Sequence, residues 1–376
     1  MAKREINYME DATTNTPHSV SQEHMLVIYS REDLAAETRL RDNEVKVGEN
    51  VQVLDVTKGH TLAEQLKASP ATFVVLGLPE DIGIRANGGR GGAYSAWKPA
   101  LFSLLNVQSN CFGDGSDILI LGHINFDDVM LRADGINFKT QKGINQARKL
   151  VEEIDVRVAA VVKAIISSGK EAIIIGGGHN NAYPNLKGAA EGLVLAGKTT
   201  SANINCINCD AHSDFRMMEG RHSGNGFRYA YENGYLEKYS VIGLHESYNA
   251  GNVLEEMMSK PGSFHLSFFE DILIRENISF KEAVHNAINH VKENYCGIEI
   301  DMDTIQNIPS SAKTSSGINT IQARQYITWA AENLNACYLH IAEAAPVLSH
   351  IKTDNKTGKL IGFLIADYIK GRRKKV

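Results

Sequence analysis

Cysteine is scarce in this chain, with five in 376 residues. A low, odd count excludes a disulfide framework as the source of stability. Cys206 and Cys209 have the spacing of a redox or zinc pair. On a strand, though, residues three apart face opposite ways, so the two thiols are expected to be buried, free and apart. No apolar run reaches the roughly 20 residues of a membrane-spanning helix. The N-terminus is polar and charged, unlike a secretory signal. An excess of positive charge is also missing. The net charge of −5 gives no general attraction to nucleic acid. No internal repeat, low-complexity segment or Pro-, Gly- or Ser-rich linker divides the chain. A cytoplasmic protein with small-molecule partners, and neither nucleic acid nor membrane among them, is the expectation. The short basic end, Lys370 to Lys375, reads as a frayed, solvated tail.

What is present is ordinary in amount and regular in pattern. A hydrophobic fraction of 43% and a charged fraction of 22% are ordinary for a soluble globular protein. Strand-like runs occur at Phe73–Leu76, Ile118–Leu121, Ala172–Ile175, Ile204–Cys209, Ser240–Gly243, Phe264–Leu266, Ile298–Ile300 and Cys337–Ile341. The strongest helical signal covers Ala147–Ile166, where Ala147, Leu150, Val151, Ile154, Val158, Val161, Val162 and Ile165 step by three and four before Gly169. Further helices are expected at Phe280–Lys292 and Gln322–Asn333. Alternation of this kind implies a mostly parallel sheet with helices on both faces. Residues 1–60 match no motif and read as an N-terminal extension or edge addition. Residues 61–376 read as a single catalytic domain.

Three fragments carry metal-ligating residue types: Gly-Gly-Gly-His ending at His179, Asp210-Ala-His212-Ser-Asp214, and Asp301-Met-Asp303. Each follows an apolar, β-branched run, so the ligands sit where parallel strands end, the place open α/β sheets put their sites. On an extended chain alternate side chains point the same way, so Asp210, His212 and Asp214 can address one point, as can Asp301 and Asp303. A lone Asp-x-Asp is usually a solvated turn and a lone Gly-Gly-Gly-His a strand-to-helix turn. Three such fragments after three strands argue for a pair of divalent ions held by two His and four Asp. Gly88-Gly-Arg90-Gly-Gly92 lacks both the Rossmann spacing and the ending of a phosphate loop, so its glycines are expected to serve close backbone packing.

In order and spacing these motifs resemble the ureohydrolases: arginase, agmatinase and formimidoylglutamase. The resemblance runs from about Leu76 to Pro346 and takes in Asn87-Gly-Gly-Arg90-Gly-Gly-Ala93 and His340-Ile-Ala-Glu343. It implies a three-layer α/β/α arginase-like fold, a homo-oligomer (trimer or hexamer) and two Mn2+ per chain. By position, His179 and Asp214 would hold one ion, His212 and Asp303 the other, with Asp210 and Asp301 bridging. Amidine and guanidine carbons are poor electrophiles. Two ions sharing a water lower its pKa and provide a nucleophile at neutral pH. Asp303 would shuttle the proton and Glu343 would pair with the cationic amidinium.

Departures within the resemblance bear on substrate. Arg216 stands where arginases have Asn and formimidoylglutamases Arg, which suits a substrate bearing an extra carboxylate. Ser223 replaces the relay His of arginases and agmatinases. His222, one residue earlier, is the candidate replacement relay. Ser223, Asn225, His245 and Glu246 lie on segments expected to line the pocket. N-formimidoyl-L-glutamate is the favoured substrate, with arginine or agmatine-type guanidines as alternatives. A catalytically silent relative would have lost metal ligands, and all six are present. A single-zinc deacetylase would not need a three-ligand run after one strand.

Overall fold

A computed structural model describes residues 25–56, 60–349 and 355–374. Ten strands form one sheet: β1 (Leu26–Ile28), β2 (Gln52–Val53), β3 (Phe73–Gly77), β4 (Ile118–Ile124), β5 (Glu171–Ile175), β6 (Ile204–Cys209), β7 (Leu236–Leu244), β8 (Phe264–Phe268), β9 (Tyr295–Asp301) and β10 (Asn335–Ala342). Their order is β1-β4-β3-β5-β10-β9-β6-β7-β8, with β2 also on β4. Every pairing is parallel except β1 with β4. The N-terminal segment therefore adds two short strands at one edge. Tyr29 holds it there, its hydroxyl accepting from the indole of the buried Trp97 at 3.0 Å.

Strand burial explains the runs read from the sequence. Ile173 and Ile175 of β5 enter one core, and Ala172 and Ile174 the other. Both faces of a parallel strand are covered, so its sequence is continuously apolar. Helices Trp97–Leu105, Phe280–Val291, Thr320–Asn333 and Lys356–Lys374 cover the first face. Helices Gln141–Ser167 and Ala182–Leu195 cover the second. The result is the three-layer α/β/α arrangement. All eight apolar positions of the long helical pattern are buried in Gln141–Ser167, which Thr140 caps by accepting from the Gly143 N–H. Helix Ala182–Leu195 went unread because Pro184, Gly188 and Gly192 weaken its pattern. Those glycines let it lie against the long helix: a Cβ at Gly188 would stand 2.6 Å from the Ala159 carbonyl oxygen. No helix among the described residues is long and apolar enough to cross a membrane.

The described part of the basic end, Lys370 to Lys374, is not a frayed tail; Lys375 lies outside the described residues. Helix Lys356–Lys374 runs through it. Arg372 forks onto Glu171 with Nη2 2.8 Å from Oε1 and donates to the Leu334 carbonyl at 2.7 Å. Arg373 pairs with Asp117 at 2.6 Å. The acidic partners lie 201 and 256 residues earlier in the chain, beyond the reach of any local pattern. Arg372→Ala should destabilise the fold by about 2–3 kcal/mol, the scale for charged hydrogen bonds to partly buried partners. Urea unfolding checks this, and a loss below about 0.5 kcal/mol would restore the solvated-tail reading.

Candidate metal centre

Four adjacent strands, β5, β10, β9 and β6, end together. Ile175 pairs with Ile341, Ile341 with Ile300, and Ile300 with Cys209. The residues that follow are thus delivered to one place: His179 after β5, Glu343 after β10, Asp301 and Asp303 at the end of β9, and Asp210, His212 and Asp214 after β6. Among the described residues three groups of side chains have ligand atoms close enough to hold a cation; one, His179, Glu299 and His340, is wholly buried, and the other two include the residues after the strands. His179, Asp210, Asp214 and Asp301 form one, and Asp210, His212 and Asp303 the other. Asp210 belongs to both, whereas Asp301 falls with the first.

The local geometry differs from the extended alternation expected of these motifs. Asp210 Oδ1 accepts from the His212 N–H at 2.7 Å, and Asp301 Oδ1 accepts from the Asp303 N–H at the same distance. Each strand end thus closes in a turn made by its own aspartate. The other oxygen, Oδ2, is left facing His179 Nδ1, at 3.1 Å for Asp210 and 3.2 Å for Asp301. Asp214 brings its Oδ2 to 3.1 Å from the same nitrogen only by taking a left-handed backbone, φ 44°. Spacing i, i+2 works here because it suits an aspartate turn, not because the chain stays extended.

These residues fit a cation. A six-coordinate ion with bonds of about 2.2 Å has donor–donor edges of about 3.1 Å, the separation found around His179 Nδ1. Asp303 Oδ1 is buried without a hydrogen-bond partner. Burial, and then the neighbouring Asp210, push the Asp214 carboxyl up to about 6. Burial followed by Asp303 raises both Asp301 and Glu343. Burial alone would lower His212, but Asp303 and Asp210 hold its imidazole well above its ordinary value. Without an ion, the cluster keeps protons where positive charge is needed.

A cavity of about 630 Å3 opens over the centre, lined by Asp214, Asp301, Asp303, His212, Glu343, Arg216 and Ser223 among others. Glu343 sits at φ 65° and accepts the His179 N–H on Oε1 at 2.9 Å. Arg216 is half exposed at the rim, donating to Asn87 Oδ1 at 2.6 Å and to Glu219 Oε1 at 2.9 Å. An adjoining hollow is lined by Arg90, Lys313 and Tyr248. The Gly-Gly-Arg-Gly-Gly segment packs closely, as its glycines suggested: a Cβ on Gly91 would meet Asp81 Oδ2 at 2.7 Å.

Other expected site residues lie outside the cavity lining. His222 is buried, its Nδ1 accepting from the Gly224 N–H at 3.1 Å and its Nε2 facing Glu219 at 3.1 Å. Burial, then Arg216 and Arg148, lower it to about 3. A ring so held braces its own loop. Asn225 accepts from Arg221 and donates to the Gly220 carbonyl, with Arg221 forked onto Asp155 between Tyr183 and Tyr229. It is therefore a staple for that loop. His245 stacks between Tyr248 and Phe269, one ring removed from the His212–Tyr248 stack. Glu246 is exposed and paired with Arg275. Sequence reasoning missed Asn87 and Tyr248 at the cavity, and Glu299 and His340 beneath the centre. Glu299 and His340 carried a usable signal, being ionisable residues inside strands otherwise apolar.

Folding raises the Asp214 carboxyl from 3.8 to about 6, so over that window the folded chain binds more protons than the unfolded one. Asp214 therefore contributes stability to the metal-free chain that is lost as pH rises through about 6. His212, raised above its ordinary 6.5, adds stability at low pH that is lost as pH climbs through its folded value. Added Mn2+ should accordingly raise Tm more at pH 8 than at pH 5. Scanning calorimetry at both pH values checks this, and equal shifts would show that ions do not displace these protons.

Comparison with known proteins bears on the same residues. The arginase family matches residues 71–368. A formimidoylglutamase of Streptococcus pyogenes serotype M3 is 24% identical over 302 residues, covering 78% of this chain and 76% of that protein. A formimidoylglutamase structure from Bacillus subtilis superposes with a TM-score of 0.65 at 18% identity, covering 89% of this chain and 94% of the other. A Trypanosoma cruzi formiminoglutamase solved with Mn2+ gives a TM-score of 0.63 at 19% identity, covering 82% and 97%.

Proposed function

The chain belongs to the arginase family, and from that footing we propose that it is a binuclear manganese hydrolase of N-formimidoyl-L-glutamate, releasing glutamate and formamide. The observation that carries the reading is the pair of ligand clusters sharing Asp210 at the floor of a cavity with Arg216 on its rim. The names of the curated relatives point the same way. His179, Asp210, Asp214 and Asp301 would hold one ion and Asp210, His212 and Asp303 the other. A pair of ions there lowers the pKa of a shared water, the nucleophile that an unreactive amidine carbon requires.

The chain's own residues do the rest. Glu343, facing the cavity with an oxygen free of the His179 N–H, pairs with the amidinium and holds its carbon above the floor. Asp303 takes the proton of the attacking water and passes it to the departing amine of glutamate, so that the carbon–nitrogen bond breaks to a neutral amine rather than an anion. Arg216 spends two of its five N–H donors on Asn87 and Glu219 and offers the others to a substrate carboxylate. Arg90 and Lys313 in the adjoining hollow complement a substrate with two carboxylates. The resemblance also carries a homo-oligomer and a cytoplasmic location into this reading. Light scattering of the purified chain checks the former.

After manganese loading, a panel of formimidoylglutamate, arginine, agmatine and guanidinobutyrate should release formamide from the first and little urea from the others. Strong arginine hydrolysis with no formamide would overturn the substrate assignment and leave the metal chemistry intact. Asp210→Ala and Asp303→Ala should each abolish turnover while leaving circular dichroism near wild type.

Arg216→Ala should raise KM for formimidoylglutamate, losing about 1.5–3 kcal/mol of charged hydrogen bonding. Its pair with Glu219 is exposed and contributes at most about 1 kcal/mol to stability. A change confined to Tm, with KM unmoved, would reduce Arg216 to a loop brace.

A further inference from the structure

Beneath the first cluster lies a buried network that the chemistry above does not use. Glu299 of β9 and His340 of β10 are paired in register on neighbouring strands, and both are fully buried. His340 Nδ1 lies 2.6 Å from Glu299 Oε2, and its Nε2 faces the Gly176 carbonyl at 3.1 Å. The Tyr338 hydroxyl donates to Glu299 Oε1 at 2.8 Å. Tyr338 reaches it across Gly297, where any Cβ would collide with the phenol ring. Both carboxylate oxygens of Glu299 are thus fixed from one side. The remaining approach to Oε2 is taken by His179 Nε2 at 3.4 Å. That nitrogen has no hydrogen bond of good geometry, although it is wholly buried.

His179 Nδ1 is the nitrogen that faces Asp210, Asp214 and Asp301. An imidazole that ligates through Nδ1 must carry its proton on Nε2, and a buried N–H needs an acceptor. We infer that Glu299, braced by Tyr338 and His340, is a positioning residue that accepts the His179 Nε2 proton, fixes the ring's tautomer and orientation, and so sets the affinity of the ion held by the first cluster. Fully buried carboxylates inside a central strand are rare unless paired, and here the pairing ends at a ligand. Among the described residues no carboxylate supports the second cluster in this way: His212 is partly exposed and stacks on Tyr248. The two ions are therefore held with separately set affinities. A carboxylate behind a ligating histidine typically changes affinity 10–100-fold.

The inference rests on the two-ion reading of the centre, so the test begins with the wild-type chain. Metal-free protein is titrated with Mn2+ and followed by calorimetry and by electron paramagnetic resonance. His179→Asn identifies which binding step belongs to the first cluster. Glu299→Gln keeps the side chain's size and removes its charge. It should weaken that step 10–100-fold and leave the other within about threefold. Unchanged affinities would overturn the inference while leaving the two-ion reading standing. Equal weakening of both steps would also overturn it, by making Glu299 a general structural residue. If Glu299→Gln does not fold, Tyr338→Phe decides: it removes one brace and should weaken the same step several-fold, and no change there overturns the inference. Fewer than two ions on the wild-type chain would sink the two-ion reading and this inference with it.

Discussion

Six carboxylates, those of Asp210, Asp214, Asp301, Asp303, Glu299 and Glu343, are crowded at the ends of four neighbouring strands, all but Asp214 buried. Each ionised carboxylate taken from water is penalised by several kcal/mol after relaxation, and like charges a few ångströms apart add to that. Three imidazoles, His179, His212 and His340, offset only part of this. The arrangement persists because the surrounding structure leaves it no alternative. In-register parallel strands fix where the chain emerges, and two continuous cores prevent the strands from sliding. Strained backbone at Asp214 and Glu343 is a further sign that the packing overrides local preference in order to aim these groups.

The loops around the centre divide into those that face it and those that hold the facing loops still. Arg221 shows the second kind. Buried between two tyrosines, it ties Asp155 of the long helix to Asn225 and to the Asn180 carbonyl beside His179. Desolvating a guanidinium to that degree is offset by satisfying its donors. His222 and Asn225 belong to this scaffolding. Arg216 and Ser223, their neighbours in sequence, reach the cavity.

Much of this was legible in the sequence where a residue's role follows from a repeating pattern. The eight strand runs and the long helix were read from burial on two faces or one, and the structure extends most of them by only a few residues. Cys206 and Cys209 are both buried and free, as strand parity required. The six metal-ligating candidates do converge, though by aspartate-closed turns that no periodicity encodes. What could not be read depends on contacts distant in sequence. Arg372 needs Glu171, and Glu299 needs His179 and His340. Helix Ala182–Leu195 is stable because its glycines meet another helix, not because of its own propensities.

The position of β10 has a consequence for how the chain is made. Strands β1 to β5 form one half of the sheet and β6 to β9 the other, and β10 alone joins them. Synthesis delivers that strand last, so each half must wait with an open edge at what will become the centre of the molecule. The second ligand group, Asp210, His212 and Asp303, lies wholly within the later half. The first draws His179 from the earlier half and the three aspartates from the later one. An ion at the second group needs only one half assembled. An ion at the first would not be held until residue 342 had been inserted between them, so its capture would mark the closing of the nascent chain.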